Sequence, residues 1–368
     1  MNDRSNSQAG GNSSAASSDH LFDVVAAFSA VPGPSGHEAP VRAFLRERWQ
    51  SHMAEWQEDR VGNILCRVGG SGPKLLIQAH MDEIGFVVRA ITDDGFLLLD
   101  NAQGTRRMSP ERRQMIGQLA QVLGRHGVVA EGVFATASGH VLTQGQLDKP
   151  HLDFTDFFID VGAKNRHEVD ARGIHVGSPV IWNWPCRRFG TRIAGKAMDD
   201  RMLLAVMDLL LDDLDTDALR YDLWFGATIQ EENGLHGARA MAHSTNFDAM
   251  IALDVGLVGD IPAISETEFV AKLGDGPTLV HKDRDVHYDQ PLIWRLADVA
   301  ETHSIPFQHG VYTNYCSDGQ PFIDHGTPAV LIGVPTRYTH TAFEMVDESD
   351  ITATVALLRA FATTPPDA

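Results

Sequence analysis

Two histidines and a set of carboxylates stand out by their positions. His80-Met81-Asp82-Glu83 follows the apolar run KLLIQA, Glu231-Glu232 follows LWFGATIQ, Asp254 follows MIAL, and Thr339-His340 follows AVLIGVP. A fifth segment, Lys196-Ala197-Met198-Asp199-Asp200-Arg201, leads into a helical pattern. Each apolar run reads as a buried strand, and in open α/β sheets ligands gather outside the carboxyl ends of the strands. Imidazole and carboxylate together form a hard-to-borderline donor set. It suits Zn²⁺, Co²⁺ or Mn²⁺, and not Cu(I) or an iron–sulfur cluster. The spacing His80-x-Asp82 has its own logic. On an extended segment the two side chains share a side, so Asp82 can take the second ring N–H of a metal-bound His80. Singly, these residues have ordinary readings. Paired glutamates usually form a solvated edge, and Asp199-Asp200 ahead of an apolar helix suits an N-cap. Their joint placement at strand ends is what argues for a metal site.

The elements that must position them follow from periodicity. Lys74–Gln78, Leu223–Ile229, Met250–Leu253 and Ala329–Val334 read as strands. Helical patterns fall at Asp200–Leu214, Gly237–His243, Pro291–His303 and Ser349–Phe361. The alternation predicts an α/β fold, a mostly parallel sheet flanked by helices. Two earlier helices are expected. One opens near Ser18–Asp19 and carries Leu21, Val24, Val25 and Phe28; the other carries Val41, Phe44, Leu45 and Trp49. Between Ile91 and about Cys186, short β-like segments (FLLL, QLAQVL, GVVAEGVF, SPVIW) alternate with Gly and Asn. A small inserted β-barrel-like domain accounts for them. The division expected is a disordered tail at 1–19, a catalytic α/β domain at 20–91 and 187–364, and an inserted β domain at 92–186.

Composition narrows the function classes. In 368 residues, 43% are apolar and 21% charged, which excludes wholesale disorder and collagen-like architecture. The formal charge of −19 repels phosphate backbones and anionic membranes, so neither nucleic acid nor a membrane is an expected partner. No apolar run reaches the roughly 20 residues of a bilayer span. Cys66, Cys186 and Cys316 lie far apart without CxxC spacing, which excludes a thiolate zinc module and fits a reducing compartment. The opening MNDRSNSQAGGNSSAASSDH lacks an apolar signal region, so the expected location is the cytoplasm.

HMDEIGFVV, GKAMDDR, QEENGLHGA, ALDVG and VPTRYTH occur in this order, joined by PGPSGHE, DFFIDVGAKN and the FEM of Phe343–Met345. From about residue 22 to 362 the chain resembles the glutamyl and tetrahedral (deblocking) aminopeptidases, a family of two-metal exopeptidases. The resemblance implies two divalent ions per subunit, with Zn²⁺ first and Co²⁺ or Mn²⁺ as alternatives. By motif, His80 and Asp254 bind one ion, Glu232 and His340 the other, and Asp199 bridges. Glu231 is the general acid/base and Asp82 supports His80. The peptide after Asp199 is expected to be cis. Two dications against three ligand carboxylates leave one positive charge, which favours hydroxide at the bridging position. Glu231 and Glu232 point to opposite sides of an extended chain, so a local bend is required. Short peptides are the implied substrates. The implied assembly is a homo-oligomer, a hollow dodecamer, with a dimer as the alternative.

The chain departs from the family pattern at several places. Asn314-Tyr315-Cys316-Ser317-Asp318-Gly319 replaces a glycine-rich Thr-Asp segment, Asn233 and His236 are unusual, and Arg106–Gln114 replaces a more apolar stretch. These changes touch the substrate pocket and assembly contacts while sparing every ligand. Arg187, Arg188 and Arg337 are candidates for recognising an acidic side chain. Two rival readings are a metallohydrolase of the same clan acting on a blocked or modified dipeptide, and a glycoside hydrolase with paired acids. The second leaves His80 and His340 unused.

Overall fold

A computed structural model describes residues 9–102, 115–148, 154–262, 264, 265 and 267–366, with backbone alone at 9–17, 146, 147 and 155. Arg106–Gln114 and the first eight residues lie outside this set. Two helices open the described chain, α1 (Ala9–Ala30) and α2 (Ala39–Trp49). Strands β1 (Glu55–Glu58), β2 (Ile64–Gly69) and β3 (Lys74–His80) follow. The chain then leaves this sheet for β4 (Phe86–Ile91), β5 (Leu97–Asn101), β6 (Leu119–Gly124), β7 (Gly127–Ala135), β8 (Phe158–Asp160) and β9 (Pro179–Trp182). Short helices α3 (Gln144–Leu147) and α4 (Arg166–Ala171) sit among them. It returns through β10 (Arg187–Phe189), β11 (Arg192–Gly195), α5 (Met198–Asp212), β12 (Asp222–Thr228), α6 (His236–Ser244) and β13 (Ala249–Leu257). The last elements are β14 (Thr278–Lys282), α7 (Gln290–Thr302), β15 (Gln308–Val311), α8 (Gly319–Asp324), β16 (Ala329–Arg337), β17 (Glu344–Asp347) and α9 (Glu348–Thr363).

Among the described residues the main sheet has eleven strands, ordered β1-β2-β12-β3-β13-β16-β17-β11-β10, with β14 and β15 off this path. Its centre, β12-β3-β13-β16, is parallel, the flanking strands join it antiparallel, and β14, antiparallel to β16, pairs parallel with β15. Every residue of β3 after Lys74 is buried, as is all of β12 after Asp222. Strands covered on both faces read as continuous apolar runs, which is why these four were visible in the sequence. Helix α5 packs against β3 and β13 and against α1 and α9; α6 and α8 pack together.

Strands β4-β5-β8-β7-β6-β9 close into a separate barrel. Phe86 lies at its centre, 5.1 Å from the rings of both Phe134 and Trp182. The barrel opens at Phe86, earlier than the boundary at residue 92, because Phe86 and Val88 face its core although the run IGFVV reads equally as an α/β strand. The start of α1 also differs from expectation. The backbone is helical from Ala9, so the stretch read as a tail to residue 19 is helical over its second half. Ala and Ser carry no apolar periodicity that could have signalled it. No helix among the described residues is long and apolar enough to cross a membrane.

Candidate metal centre

The five candidate ligands converge at one rim of the sheet. His80 ends β3, Glu231 and Glu232 follow β12, and His340 follows β16. Asp254 differs from expectation. It lies inside β13, opposite Gly333, because the strand runs on to Leu257. Asp199 sits between the two imidazoles, with Oδ1 3.0 Å from His80 Nε2 and Oδ2 3.5 Å from His340 Nε2. Glu232 Oε2 lies 3.3 Å from His340 Nε2, and Glu231 Oε2 lies 3.9 Å from His80 Nε2. Two donor groups result. His80, Asp199, Asp200 and Asp254 form one, Asp199, Glu232 and His340 the other, each with ligand atoms within 4.8 Å of one another. Asp199 belongs to both. The N-cap reading of Asp199-Asp200 does not hold, since the Asp199 carboxylate faces the two imidazoles and Asp200 accepts His80 N–H; their peptide bond is cis.

The bend demanded by Glu231-Glu232 is present and clasped. Gln230 has φ of 50° and donates its N–H to Glu38 Oε1 at 3.1 Å. Asp82 then closes the turn, accepting Glu231 N–H at 2.9 Å on one oxygen and Glu232 N–H at 3.3 Å on the other. Ser35 Oγ donates to the same carboxylate at 2.6 Å. Asp82 therefore does more than support the imidazole. His80 Nδ1 lies 3.1 Å from the Asp82 backbone carbonyl, closer than the 3.4 Å to its carboxylate.

Three further residues hold the centre, none assigned to it from the sequence. Glu344 accepts Asp199 N–H at 2.8 Å and His340 N–H at 2.9 Å, so one carboxylate fixes two ligand-bearing backbones. Asp200 accepts His80 N–H at 2.9 Å. Asp318 accepts from Gln78 Nε2 at 2.9 Å and from Thr228 Oγ1, tying the unusual 314–319 loop to the ends of β3 and β12. Beneath them Arg201, fully buried, donates to the carbonyls of Met81 (2.6 Å), Val31 (2.7 Å) and Gly33 (3.1 Å). Glu83 takes Lys196 Nζ at 2.8 and 2.9 Å, completing a satisfied buried ion group.

The electrostatics suit cations. Asp199, Asp200, Glu231, Glu232 and Asp254 are each at most 5% exposed. Both oxygens of Glu232 and Asp200 Oδ1 are buried without a hydrogen-bond partner. Burial, reinforced by the Asp199 charge, pushes Asp254 up to about 7. Burial raises Glu231 well above the usual carboxylate range, with Asp254 and Glu232 adding to it, and raises Glu232 as well. Burial pulls the other way on the imidazoles, yet the carboxylates of Asp200, Asp199 and Asp82 hold His80 well above its ordinary value. His340 is held up likewise by Glu232 and Asp199. A site that gathers protons in this manner is one whose protons divalent cations can displace. The donor set fits such ions: imidazole nitrogens, carboxylate oxygens and orphaned acceptors.

Residues 62–357 match the M42 glutamyl aminopeptidase family. The chain belongs to that family. FrvX of Escherichia coli (strain K12) is 33% identical over 336 residues, covering 90% of this chain and 91% of that protein. Among solved structures, the aminopeptidase APDkam598 from the archaeon Desulfurococcus kamchatkensis superposes with a TM-score of 0.88 at 30% identity, covering 95% of this chain and 96% of that one. The TET1 peptidase of Pyrococcus horikoshii, which can assemble into a tetrahedron or a large octahedral shell, gives a TM-score of 0.83 at 25% identity, covering 93% and 99%. As an M42 member, this protein is a peptide hydrolase.

Proposed function

We propose that the protein is a metal-dependent aminopeptidase that removes N-terminal residues from short peptides. The observation that carries this reading is the pair of donor groups sharing Asp199, with Glu231 Oε2 3.9 Å from His80 Nε2. His80 and Asp254 would hold one divalent ion, Glu232 and His340 the other, and Asp199 both; Zn²⁺ is the first choice, Co²⁺ or Mn²⁺ the alternatives. When bound, such a pair polarises the scissile carbonyl and makes an attacking water acidic near neutral pH.

The chain's own residues do the rest. Glu232 is committed as a ligand and is thereby a poor base. Glu231 is free to take the proton of the attacking water and hand it to the leaving amine, work worth about 10²–10⁴-fold. Asp82 keeps the two glutamates on their separate tasks by holding both backbone N–H groups. The wider organisation in this reading is a catalytic domain at 20–85 and 187–364, with the insertion, which begins at Phe86 and runs to 186, serving oligomerisation and substrate access. It acts in the cytoplasm, as a dodecamer or a dimer.

The test is hydrolysis of aminoacyl-p-nitroanilides and of free and N-acetylated short peptides, after chelation and after reloading with Zn²⁺, Co²⁺ or Mn²⁺. Cleavage of free N-termini only when a metal is supplied is expected. No cleavage with any metal, or undiminished cleavage in chelator, would refute the reading.

A further inference from the structure

The Asn314–Gly319 loop, where the chain departs from its family, lies along one half of the metal centre. Its bonds end on Val255, next to Asp254, and on Gln78 and Thr228, where Thr228 stands opposite His80 in the sheet. We infer that Tyr315 is a positioning residue for Asp254, an inference that rests on the two-ion reading above. Tyr315 sets the affinity of the ion held by His80 and Asp254. The ion held by Glu232 and His340 does not depend on it.

The contact is with the residue that follows the ligand. The Tyr315 hydroxyl donates to the Val255 carbonyl at 2.9 Å, and the Val255 N–H donates to Asp254 Oδ1 at 2.7 Å. Val255 is thus held at both ends, by the phenol on one side and by the ligand carboxylate on the other. The same hydroxyl lies within hydrogen-bond reach of the Asp254 carboxylate itself. A phenol has one proton to give, and both groups in front of it are acceptors. Either bond keeps Asp254 in place.

Tyr315 is itself fixed. Its carbonyl accepts the Arg284 backbone N–H at 2.9 Å. Arg284 stands on a turn built around buried Asp283, which accepts the N–H groups of Asp285 and Val286 at 2.8 Å each and the Tyr288 hydroxyl at 2.7 Å. The Tyr315 ring packs edge-on against buried Tyr312, with centroids 5.3 Å apart. Asp318, three residues on, ties the far end of the loop to Gln78 and Thr228. The other half of the centre has a separate support, the Glu344 carboxylate on the N–H groups of Asp199 and His340. Groups that orient a ligand in this way typically contribute about 10–100-fold to metal affinity.

The experiment titrates the full-length, metal-stripped protein with Zn²⁺ against a chromophoric chelator, which reads the affinity of each ion without any turnover. In Tyr315→Phe one of the two binding steps is expected to weaken about 10–100-fold while the other stays at its wild-type value. Two backgrounds assign the step. His340→Ala keeps the donors of the first ion and should show the loss; His80→Ala keeps those of the second and should not. Tyr312→Phe, which removes the neighbouring phenol, is expected to change neither step. Melts of the metal-free variants establish that each is folded. Unchanged binding in Tyr315→Phe, an equal loss of both steps, a loss assigned to the second ion, or the same loss in Tyr312→Phe would overturn the inference while leaving the two-ion reading intact. A wild type that takes up fewer than two Zn²⁺ ions would overturn both.

Discussion

Glu344→Ala is the sharpest probe of how the centre is held. Glu344 is 1% exposed, and its two oxygens accept the N–H groups of Asp199 and His340 at 2.8 and 2.9 Å. Truncation leaves two buried donors without partners. Each such orphan costs about 1–3 kcal/mol, so a loss of about 2–6 kcal/mol in stability is expected. The effect on the ions is separate. Asp199 and His340 lose their fixed backbone, and removing a support of this kind typically weakens metal affinity about 10–100-fold. Glu344→Gln keeps one acceptor and turns an N–H₂ group toward the other N–H, so it is expected to fall between wild type and alanine. Competition against a chromophoric chelator gives the affinity, and melts with and without added metal give the stability. If Glu344→Ala binds two ions at wild-type affinity and melts with the wild type, the clamp described here does not hold the ligands.

Further expectations follow from the same geometry. Glu231→Gln should lower kcat by about 10²–10⁴-fold while metal content, read by elemental analysis, stays at the wild-type value. Asp199→Ala should lose both ions together, because Asp199 belongs to both donor groups; retention of one ion at full occupancy would contradict the shared role. Away from the centre, burial pushes the Asp350 carboxyl up to about 6, although it accepts Gly274 and Gly276 N–H groups at 2.8 Å each. The native chain then holds a proton that the unfolded chain releases near its ordinary value. Stability therefore falls between about pH 4 and pH 6 and is level above, by up to about 3 kcal/mol from this group. Melts of wild type and Asp350→Asn across that range should diverge with this slope.

Much of the centre was legible because its ligands ride on strands that are buried on both faces. KLLIQ, LWFGATI, MIAL and AVLIGV mark the sheet by composition alone, and the polar residues that follow stand out against them. Asp254 shows the limit: a carboxylate inside a strand looks like a strand end when read by hydropathy. Glu344 holds the Asp199 N–H and Asp200 the His80 N–H across 145 and 120 positions, which no spacing encodes; only the Glu344 contact to His340 is local. Arg284 owes its placement to the turn around Asp283, which reads in the sequence as an ordinary charged loop, HKDRD. The helix from Ala9 was invisible because Gly10, Gly11, Asn12 and the serines after them are weak helix formers and offer no apolar face.

The barrel is spliced into the chain at a telling place. It departs just after His80 and Asp82 and rejoins the main sheet through the β10–β11 hairpin, which leads into Asp199. A module attached in this way cannot be swapped or repositioned as a neutral appendage. Its first lead is the short one, with Asp82 only just ahead of β4, so the wall of the barrel and the turn that carries Glu231 and Glu232 are joined by the same stretch of chain.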